Sequence, residues 1–138
     1  MRINRKVIYG LGCILEVAKA KNRTVTLNEL SRLKGISCDY VEQLLIRFKR
    51  KGLVKSIRGK KGGYILAKSA QNISLKDIME AQEKNILDTI CFSSKNIKCD
   101  VHHCNIKLVW KELKNKIEES LDKIKISDLI RKDRLICK

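Results

Sequence analysis

Three of the six cysteines lie close together in the sequence, at Cys91, Cys99 and Cys104, with the spacing Cys-x7-Cys-x4-Cys. Two histidines, His102 and His103, fall inside the same stretch. Thiolate sulfur and imidazole nitrogen are common ligands of zinc and iron–sulfur centres. The stretch therefore indicates a ligand set, and three alternatives stay open at this point: a tetrahedral zinc site, an iron–sulfur cluster, or cysteines that only pack as small hydrophobic residues.

The rest of the sequence indicates a cytoplasmic protein that acts away from membranes. No apolar run approaches the length of a membrane span, and the first residues, MRINRKVIYG, lack the layout of a signal peptide. The other cysteines, Cys13, Cys38 and Cys137, are scattered, which argues against a disulfide framework, and we assign them no role. No oxyanion motif or third orienting group accompanies the Cys and His residues, so we do not expect an enzyme.

The charge of the chain is strongly positive and unevenly distributed. The net charge is +16, and residues 1–68 carry 17 basic and 4 acidic side chains. Clustered Lys and Arg neutralise phosphates and release their counterions, so the first half of the chain is suited to a nucleic acid. The alternative on charge alone is a solvated basic surface.

The elements of this basic half predict a helix-turn-helix. An amphipathic pattern over residues 4–20 predicts a first helix. Thr26 and Glu29 predict a capping box at the start of a second helix, which ends at Gly35. Ser37 caps a third helix two residues later. Two helices at a tight glycine turn are typical of a DNA-binding helix-turn-helix, although a plain helical hairpin has the same pattern.

The segment after the third helix favours the DNA-binding alternative. Residues 53–57 and 64–67 are apolar and strand-like, and the basic, glycine-rich sequence RGKKGG joins them. The pattern predicts a β-hairpin wing, in which an Arg at the tip can enter the minor groove while glycines allow the backbone to approach phosphate.

The C-terminal half predicts a connecting helix, a loop and one long helix. Ser74 caps a helix over Leu75 to about Gln82, whereas residues 84–103 show no sustained period. A nearly heptad stripe then predicts a helix whose narrow apolar seam needs a partner helix in a two-fold dimer. The seam consists of Ile106, Trp110, Leu113, Ile117, Leu121 and Ile124. We read Arg131–Lys138 as a short polar tail.

The sequence from Ile36 to Ala67, ISCDYVEQLLIRFKRKGLVKSIRGKKGGYILA, resembles the winged-helix region of the Rrf-two (Rrf2) family of bacterial transcription regulators. This family has IscR-, NsrR-, RirA- and CymR-like members. The wing motif Arg58-Gly59-x-x-Gly62-Gly63-Tyr64 is its most specific part, and the resemblance continues through ISLKDIMEA, the three cysteines and the long C-terminal helix. It implies a mainly α fold with a small β-wing, that is, a winged helix-turn-helix domain plus a long C-terminal dimerisation helix.

The resemblance also implies a domain organisation of three consecutive segments. Residues 1–70 form the DNA-binding domain, residues 71–104 form the connecting helix and cysteine-containing sensor loop, and residues 105–138 form the dimerisation helix and tail. The expected partners are a second copy of the chain and a double-stranded DNA operator. The family's DNA contacts correspond to Tyr40, Glu42 and Gln43 on the third helix and to Arg58, Gly59 and Lys60 on the wing.

In the cluster-binding members of this family, three cysteines hold an iron–sulfur cluster, and Cys91, Cys99 and Cys104 match them in place and order. The expected cofactor is a [2Fe–2S] or [4Fe–4S] cluster, which air can remove during preparation. Lys107 stands where IscR-like members have a histidine ligand, so His102 or His103 is the candidate fourth ligand. The expected function is a transcription repressor that senses iron–sulfur, iron or redox status. The alternative is a cluster-free or zinc-bound member controlled by a partner protein or by thiol oxidation.

Overall fold

The computed structural model describes residues 3–84 and 105–136, and it describes the side chains of residues 3–84 and 108–133. Within these residues no helix is both long enough and apolar enough to cross a membrane. The architecture is mainly helical with one antiparallel hairpin, as predicted. The elements in chain order are α1 (Arg5–Lys19), α2 (Leu27–Lys34), α3 (Cys38–Arg50), β1 (Val54–Ile57), β2 (Gly63–Leu66), a 3-10 turn (Ala70–Asn72), α4 (Leu75–Gln82), α5 (Asn105–Lys123) and α6 (Ile126–Ile136).

The helix-turn-helix of α2 and α3 is confirmed, and local capping residues define its turn. Gly35 closes α2 with a φ of 64°, a left-handed conformation that costs glycine little. The Ser37 side chain then accepts the backbone N–H of Tyr40 and opens α3. The predicted capping box at α2 is only half correct. Thr26 accepts the N–H of Glu29 at 3.1 Å, but the Glu29 carboxylate binds Arg23 instead, at 3.0 Å.

The core lies between α1, α3, α4 and the base of the hairpin. The residues that α3 contributes to this core recur at helical spacing, so one stripe of that helix is buried and the opposite stripe is exposed. The largest fully buried side chains are Phe48, Ile14, Leu30, Leu44, Leu45, Leu53, Ile73, Ile78 and Ile126. The last of these comes from α6, so the C-terminal helix completes the same core as the helix-turn-helix.

The hairpin is the predicted wing, and a third segment that the sequence did not indicate extends it. β1 pairs with β2 in the register Val54↔Leu66 to Ile57↔Gly63. Val25, in the loop before α2, pairs with Tyr64 through two backbone hydrogen bonds of 2.8 and 3.0 Å. Gly63 allows this approach, because a Cβ at this position would lie 2.7 Å from the Val25 carbonyl oxygen.

Helix α4 begins at the predicted residue and ends against α1 and α3. The Ser74 side chain and the Asp77 carboxylate cap each other's backbone N–H groups, with distances of 3.1 and 3.0 Å. At the other end Gln82 is buried, and its side-chain amide donates to the Leu44 carbonyl of α3 at 2.9 Å. Gly10 of α1 makes room for it, since a Cβ there would lie 2.9 Å from Gln82 Cγ.

The prediction of one long helix followed by a polar tail is wrong at its C-terminal end. Helix α5 stops at Lys123, where the backbone of Ile124 accepts the Leu75 N–H and the Ile126 N–H donates to the Ile73 carbonyl. Helix α6 then packs against α1, with Asp133 paired to Lys19. These two backbone hydrogen bonds join residues that lie about 50 positions apart in the sequence, so no local signal marks the break between α5 and α6. The three-segment division of the chain stays a prediction.

Candidate nucleic-acid interface

Helix α3 presents two of the predicted contact residues to solvent. Glu42 and Gln43 are exposed, while Val41, Leu44 and Leu45 beside them are buried. The burial of one stripe fixes the rotation of the helix about its axis, so the polar stripe faces outward along its length. Gln can pair bidentately with adenine and Glu can accept from the cytosine N4 amine, which gives this face the chemistry to read base edges.

Tyr40, the third predicted contact on α3, lies in a different environment. It is half-buried against the core, and its ring meets that of Tyr9 on α1 edge to face, with 6.0 Å between ring centroids and an interplanar angle of 87°. Such aromatic pairs add stability beyond the area that they bury. Tyr40 therefore has a structural role in joining α3 to α1, in addition to any contact made by its exposed part.

The wing tip brings the other three predicted residues together. Arg58, Gly59 and Lys60 are consecutive and exposed between the two strands. Gly59 has a φ of 115°, which side chains rarely adopt, and its carbonyl accepts the Gly62 N–H at 2.9 Å. A Cβ on Gly62 would lie 2.7 Å from the Ile57 carbonyl oxygen. The glycines thus make a tight turn that projects Arg58 and Lys60 from the end of the hairpin.

Hydrogen bonds hold the wing against the helices. Lys49 near the end of α3 donates to the Ser56 hydroxyl of β1 at 3.0 Å. The Thr24 hydroxyl donates to the Lys61 carbonyl at the wing tip at 2.7 Å. Burial, and secondarily the charge of Glu42, raises the pKa of the Tyr64 phenol above its usual value, so that phenol stays neutral. We call the exposed stripe of α3 together with the wing tip the recognition surface.

The charge of the recognition surface and its surroundings suits a polyanion. Between Cys38 and Ala67 the only carboxylates are those of Asp39 and Glu42, whereas eight side chains are basic. Most of the basic residues are exposed, and they run from the last turn of α3 through the wing. Such a surface binds phosphates with an affinity that falls as the salt concentration rises. The basic residues are Arg47, Lys49, Arg50, Lys51, Lys55, Arg58, Lys60 and Lys61.

The predicted cluster ligands lie outside the described residues. Cys91, Cys99 and Cys104 fall in residues 85–104, as do His102 and His103. The last of the three cysteines is followed directly by the first residue of α5, Asn105. The ligand set therefore remains a prediction.

The two cysteines in the described residues have different environments. Cys13 is fully buried in the core, while Cys38, at the start of α3, is half-buried with its thiol 3.1 Å from the Asn28 side-chain oxygen. Burial raises the pKa of the Cys13 thiol to about 11, with opposing smaller effects of Lys34 and Glu16. A thiol with this pKa stays protonated and unreactive at neutral pH, in agreement with the expectation that Cys13 only packs.

We expect Cys13 to make stability depend on pH in the alkaline range. The neutral thiol stabilises the fold fully below the ordinary thiol pKa of 9.0, and this contribution is lost as the pH rises through about 11, because the unfolded chain ionises first. The loss should amount to ~2–3 kcal/mol. Urea unfolding at several pH values would measure it. Cys13→Ala should remove this part of the pH dependence and Cys38→Ala should keep it. Equal slopes of the free energy of unfolding against pH in the two variants would contradict the assignment of this effect to Cys13.

The first turns of α5 carry an exposed apolar surface that the heptad stripe identified only in part. The predicted seam residues Trp110 and Leu113 are 41% and 42% exposed. Leu108 and Val109, which lie outside the stripe, are 69% and 62% exposed. Further along, Ile117 and Leu121 are half-buried where α5 contacts α4. Exposed apolar patches of this kind mark interaction surfaces. We call these four exposed residues of α5 the apolar patch.

Comparison with known proteins gives a consistent result. The model of the Rrf2 family, described as an iron-dependent transcriptional regulator, matches residues 3–132. The HTH-type transcriptional regulator IscR of Pectobacterium carotovorum is 32% identical over 131 residues, which cover 94% of this chain and 79% of the relative. IscR of Cereibacter sphaeroides is 31% identical over 142 residues, which cover 99% of this chain and 92% of the relative.

Solved structures with the same fold include regulators of two kinds. CymR, the global cysteine regulator of B. subtilis, superposes with a TM-score of 0.79 at 28% identity, covering 95% of this chain and 97% of CymR. IscR of T. potens superposes with a TM-score of 0.77 at 31% identity, covering 96% of this chain and 88% of that one.

Proposed function

The chain belongs to the Rrf2 family of transcriptional regulators, and from this membership we propose that it is a homodimeric repressor that reads an operator with its recognition surface and responds to an iron–sulfur cluster. The observation that carries the DNA-binding part is the recognition surface itself. It combines an exposed polar stripe on α3 with a basic wing tip, and the Lys49–Ser56 bond links α3 to β1 of the wing. Glu42 and Gln43 read bases in the major groove, and Arg58 enters the minor groove.

The apolar patch supports the homodimer. Four exposed large side chains within six residues of one helix leave apolar area in water, which a second copy of α5 would cover around a two-fold axis. Two copies of α3 then face two half-sites of a palindromic operator, as in other dimeric helix-turn-helix proteins. Selecting DNA from a random pool with the full chain tests both parts. Enrichment of a palindromic motif is expected, and enrichment of none would count against operator recognition.

The donor set of residues 91–104 fits an iron–sulfur cluster in its chemistry. Cys91, Cys99 and Cys104 supply three thiolates, and His102 or His103 supplies a candidate fourth ligand. When bound, a cluster supplies a group that can be oxidised or lost, and hence a signal. In the sequence Cys104 immediately precedes the first residue of α5, and the apolar patch begins four positions later, at Leu108, so ligation of Cys104 would act close to the proposed dimer contact. DNA affinity then changes because the dimer with the cluster and the dimer without it present different half-site geometry.

We expect the protein purified without oxygen to be coloured and to contain iron and sulfide. Cys99→Ser should abolish the iron content and the visible absorbance, because a cluster that loses one of its thiolates is released. Cys38→Ser is the matched control and should retain both, since Cys38 lies on α3 and hydrogen bonds to Asn28. Elemental analysis and the absorbance spectrum are the measurements. A colourless, iron-free wild-type protein with unchanged DNA affinity would remove the cluster from the proposal.

A second candidate is control without a cluster, by zinc, a partner protein or thiol oxidation. The similarity to CymR, described as a global cysteine regulator, favours this candidate. Zinc in the elemental analysis, or a protein retained on the immobilised chain in a pull-down and shown to change its DNA affinity, would support it. Both candidates share the operator-binding mode and differ only in the signal.

A further inference from the structure

The exposed stripe of α3 contains one apolar residue, Ile46. It is 38% exposed and lies outside the core that the described residues form. An isolated apolar side chain at a protein surface carries no meaning by itself, so its surroundings have to decide what it does. The other exposed residues of α3 are all polar or charged: Asp39, Glu42, Gln43, Lys49 and Arg50.

Ile46 lies at the middle of this stripe. When the helix is projected along its axis at about 100° per residue, the six exposed positions span an arc of about 120°, and Ile46 falls at its centre. Along the axis it lies three residues, or about 4.5 Å, beyond Gln43, and Lys49 follows at the same interval. A duplex that contacts both Gln43 and Lys49 therefore also covers Ile46.

The chemistry of Ile46 limits what it can contact on such a duplex. An apolar side chain against a phosphate would only take charge out of water, which is unfavourable. The apolar group that base pairs display in the major groove is the 5-methyl group of thymine, and contact with Ile46 removes both surfaces from water. Helix stability does not account for this residue either, because isoleucine is a weaker helix former than leucine, lysine or glutamine.

We propose that Ile46 is a specificity-determining residue, which selects a thymine in the operator by contact with its 5-methyl group. This inference rests on the proposed function, since it requires α3 to lie in the major groove. An axial step of about 4.5 Å compares with a rise of about 3.4 Å per base pair. The thymine, on either strand, therefore lies within two base pairs of the pair that Gln43 reads.

The experiment measures the affinity of the full chain for its selected operator, in which one thymine at a time is replaced by deoxyuridine. This replacement removes the 5-methyl group and keeps the base pairing, the charge and the hydrogen-bonding groups. We expect a position in each half-site at which it lowers the affinity about fourfold, as for one methyl-sized group returned to water. Fluorescence anisotropy gives the ratio of the two affinities. The pair that Gln43 reads is the one at which Gln43→Ala relaxes the selected motif.

Variants at two isoleucines assign the effect to α3. Ile46→Ser should bring the affinity ratio at the sensitive thymine close to one, and Ile46→Val should keep most of the effect, because valine retains a branched apolar side chain. Serine and isoleucine have similar helix propensities, so α3 should stay folded. Ile57→Ser is the matched control. Ile57 is 41% exposed on β1 of the wing, and thymine presents no methyl group in the minor groove, so this variant should keep the wild-type ratio whatever its total affinity.

The outcomes separate this inference from the proposed function. If Ile46→Ser binds the operator with the same sensitive thymines as the wild type, Ile46 does not read a methyl group and the inference is overturned, while operator recognition stands. The same conclusion follows if no thymine within two base pairs of the Gln43 position is sensitive. If selection yields no operator, the proposed function fails and this inference fails with it.

Discussion

Replacing Ile126 by alanine should lower the free energy of unfolding by about 2–5 kcal/mol, the range for removing a buried aliphatic side chain from a core. Ile126 is fully buried, and it lies in the same core cluster as Ile14, Phe48 and Ile78. Its backbone N–H also donates to the Ile73 carbonyl at 3.0 Å, so the surrounding structure cannot easily collapse into the cavity. The loss should therefore lie well above that of an ordinary surface substitution.

Urea unfolding at one fixed protein concentration would measure the effect of Ile126→Ala. Leu33→Ala is the matched control, because leucine is an isomer of isoleucine and Leu33 is 53% exposed on α2. Its expected change is well under 1 kcal/mol, as for other exposed positions. If both variants lost the same amount of stability, Ile126 would not be part of the core.

Arg58→Ala should weaken operator binding by about 1–3 kcal/mol for each half-site, which corresponds to a factor of roughly 5 to 150 per half-site. Arg58 is exposed at the wing tip beside Gly59, whose φ of 115° shapes the turn that projects it. A guanidinium in a narrow minor groove gains from the negative potential there, and alanine keeps neither the charge nor the reach. The fold should be unaffected, since the side chain lies outside the core.

Fluorescence anisotropy with the selected operator, at several salt concentrations, would measure the loss. Lys132→Ala removes one positive charge from α6 and serves as the control for net charge. We expect Lys132→Ala to shift the binding curve little, and Arg58→Ala to reduce the slope of log affinity against log salt by about one for each half-site, that is, by about two for the dimer. A curve for Arg58→Ala that overlies the wild type at every salt concentration would show that the wing does not enter the groove.

The parts of the fold that local chemistry determines could be predicted from the sequence. Thr26, Gly35, Ser37 and Ser74 start or end helices through their own side chains or backbone freedom, and each lies at the predicted boundary. The wing could be predicted for the same reason, because a glycine-rich basic sequence between two apolar segments specifies a hairpin. The exposed positions of Glu42, Gln43, Arg58 and Lys60 follow from these elements.

The parts that the sequence did not reveal depend on contacts between distant residues. Helix α6 has an apolar stripe at Ile126, Leu129 and Ile130, which the predicted seam did not include, and no Gly or Pro marks a boundary between it and α5. The break comes from pairing with Ile73 and Leu75. Gln82 has a polar side chain that would ordinarily be placed at the surface, and its buried position lies against Gly10 on another helix, where a Cβ would be 2.9 Å from Gln82 Cγ.

The attachment of the wing to α3 has a consequence for the layout of the operator. The Lys49–Ser56 bond joins the wing to α3, while the Thr24–Lys61 bond and the Val25–Tyr64 pairing join it to the loop before α2, so the separation between α3 and the wing is set by the protein. One base-pair step along a duplex also rotates the next base edge around the helix axis, so an inserted pair changes both distance and direction. In the proposed binding mode, we therefore expect a constant spacing within a half-site between the bases that α3 would read and the narrow groove that Arg58 would enter. We expect insertions to be tolerated, if anywhere, only where the two proposed half-sites meet.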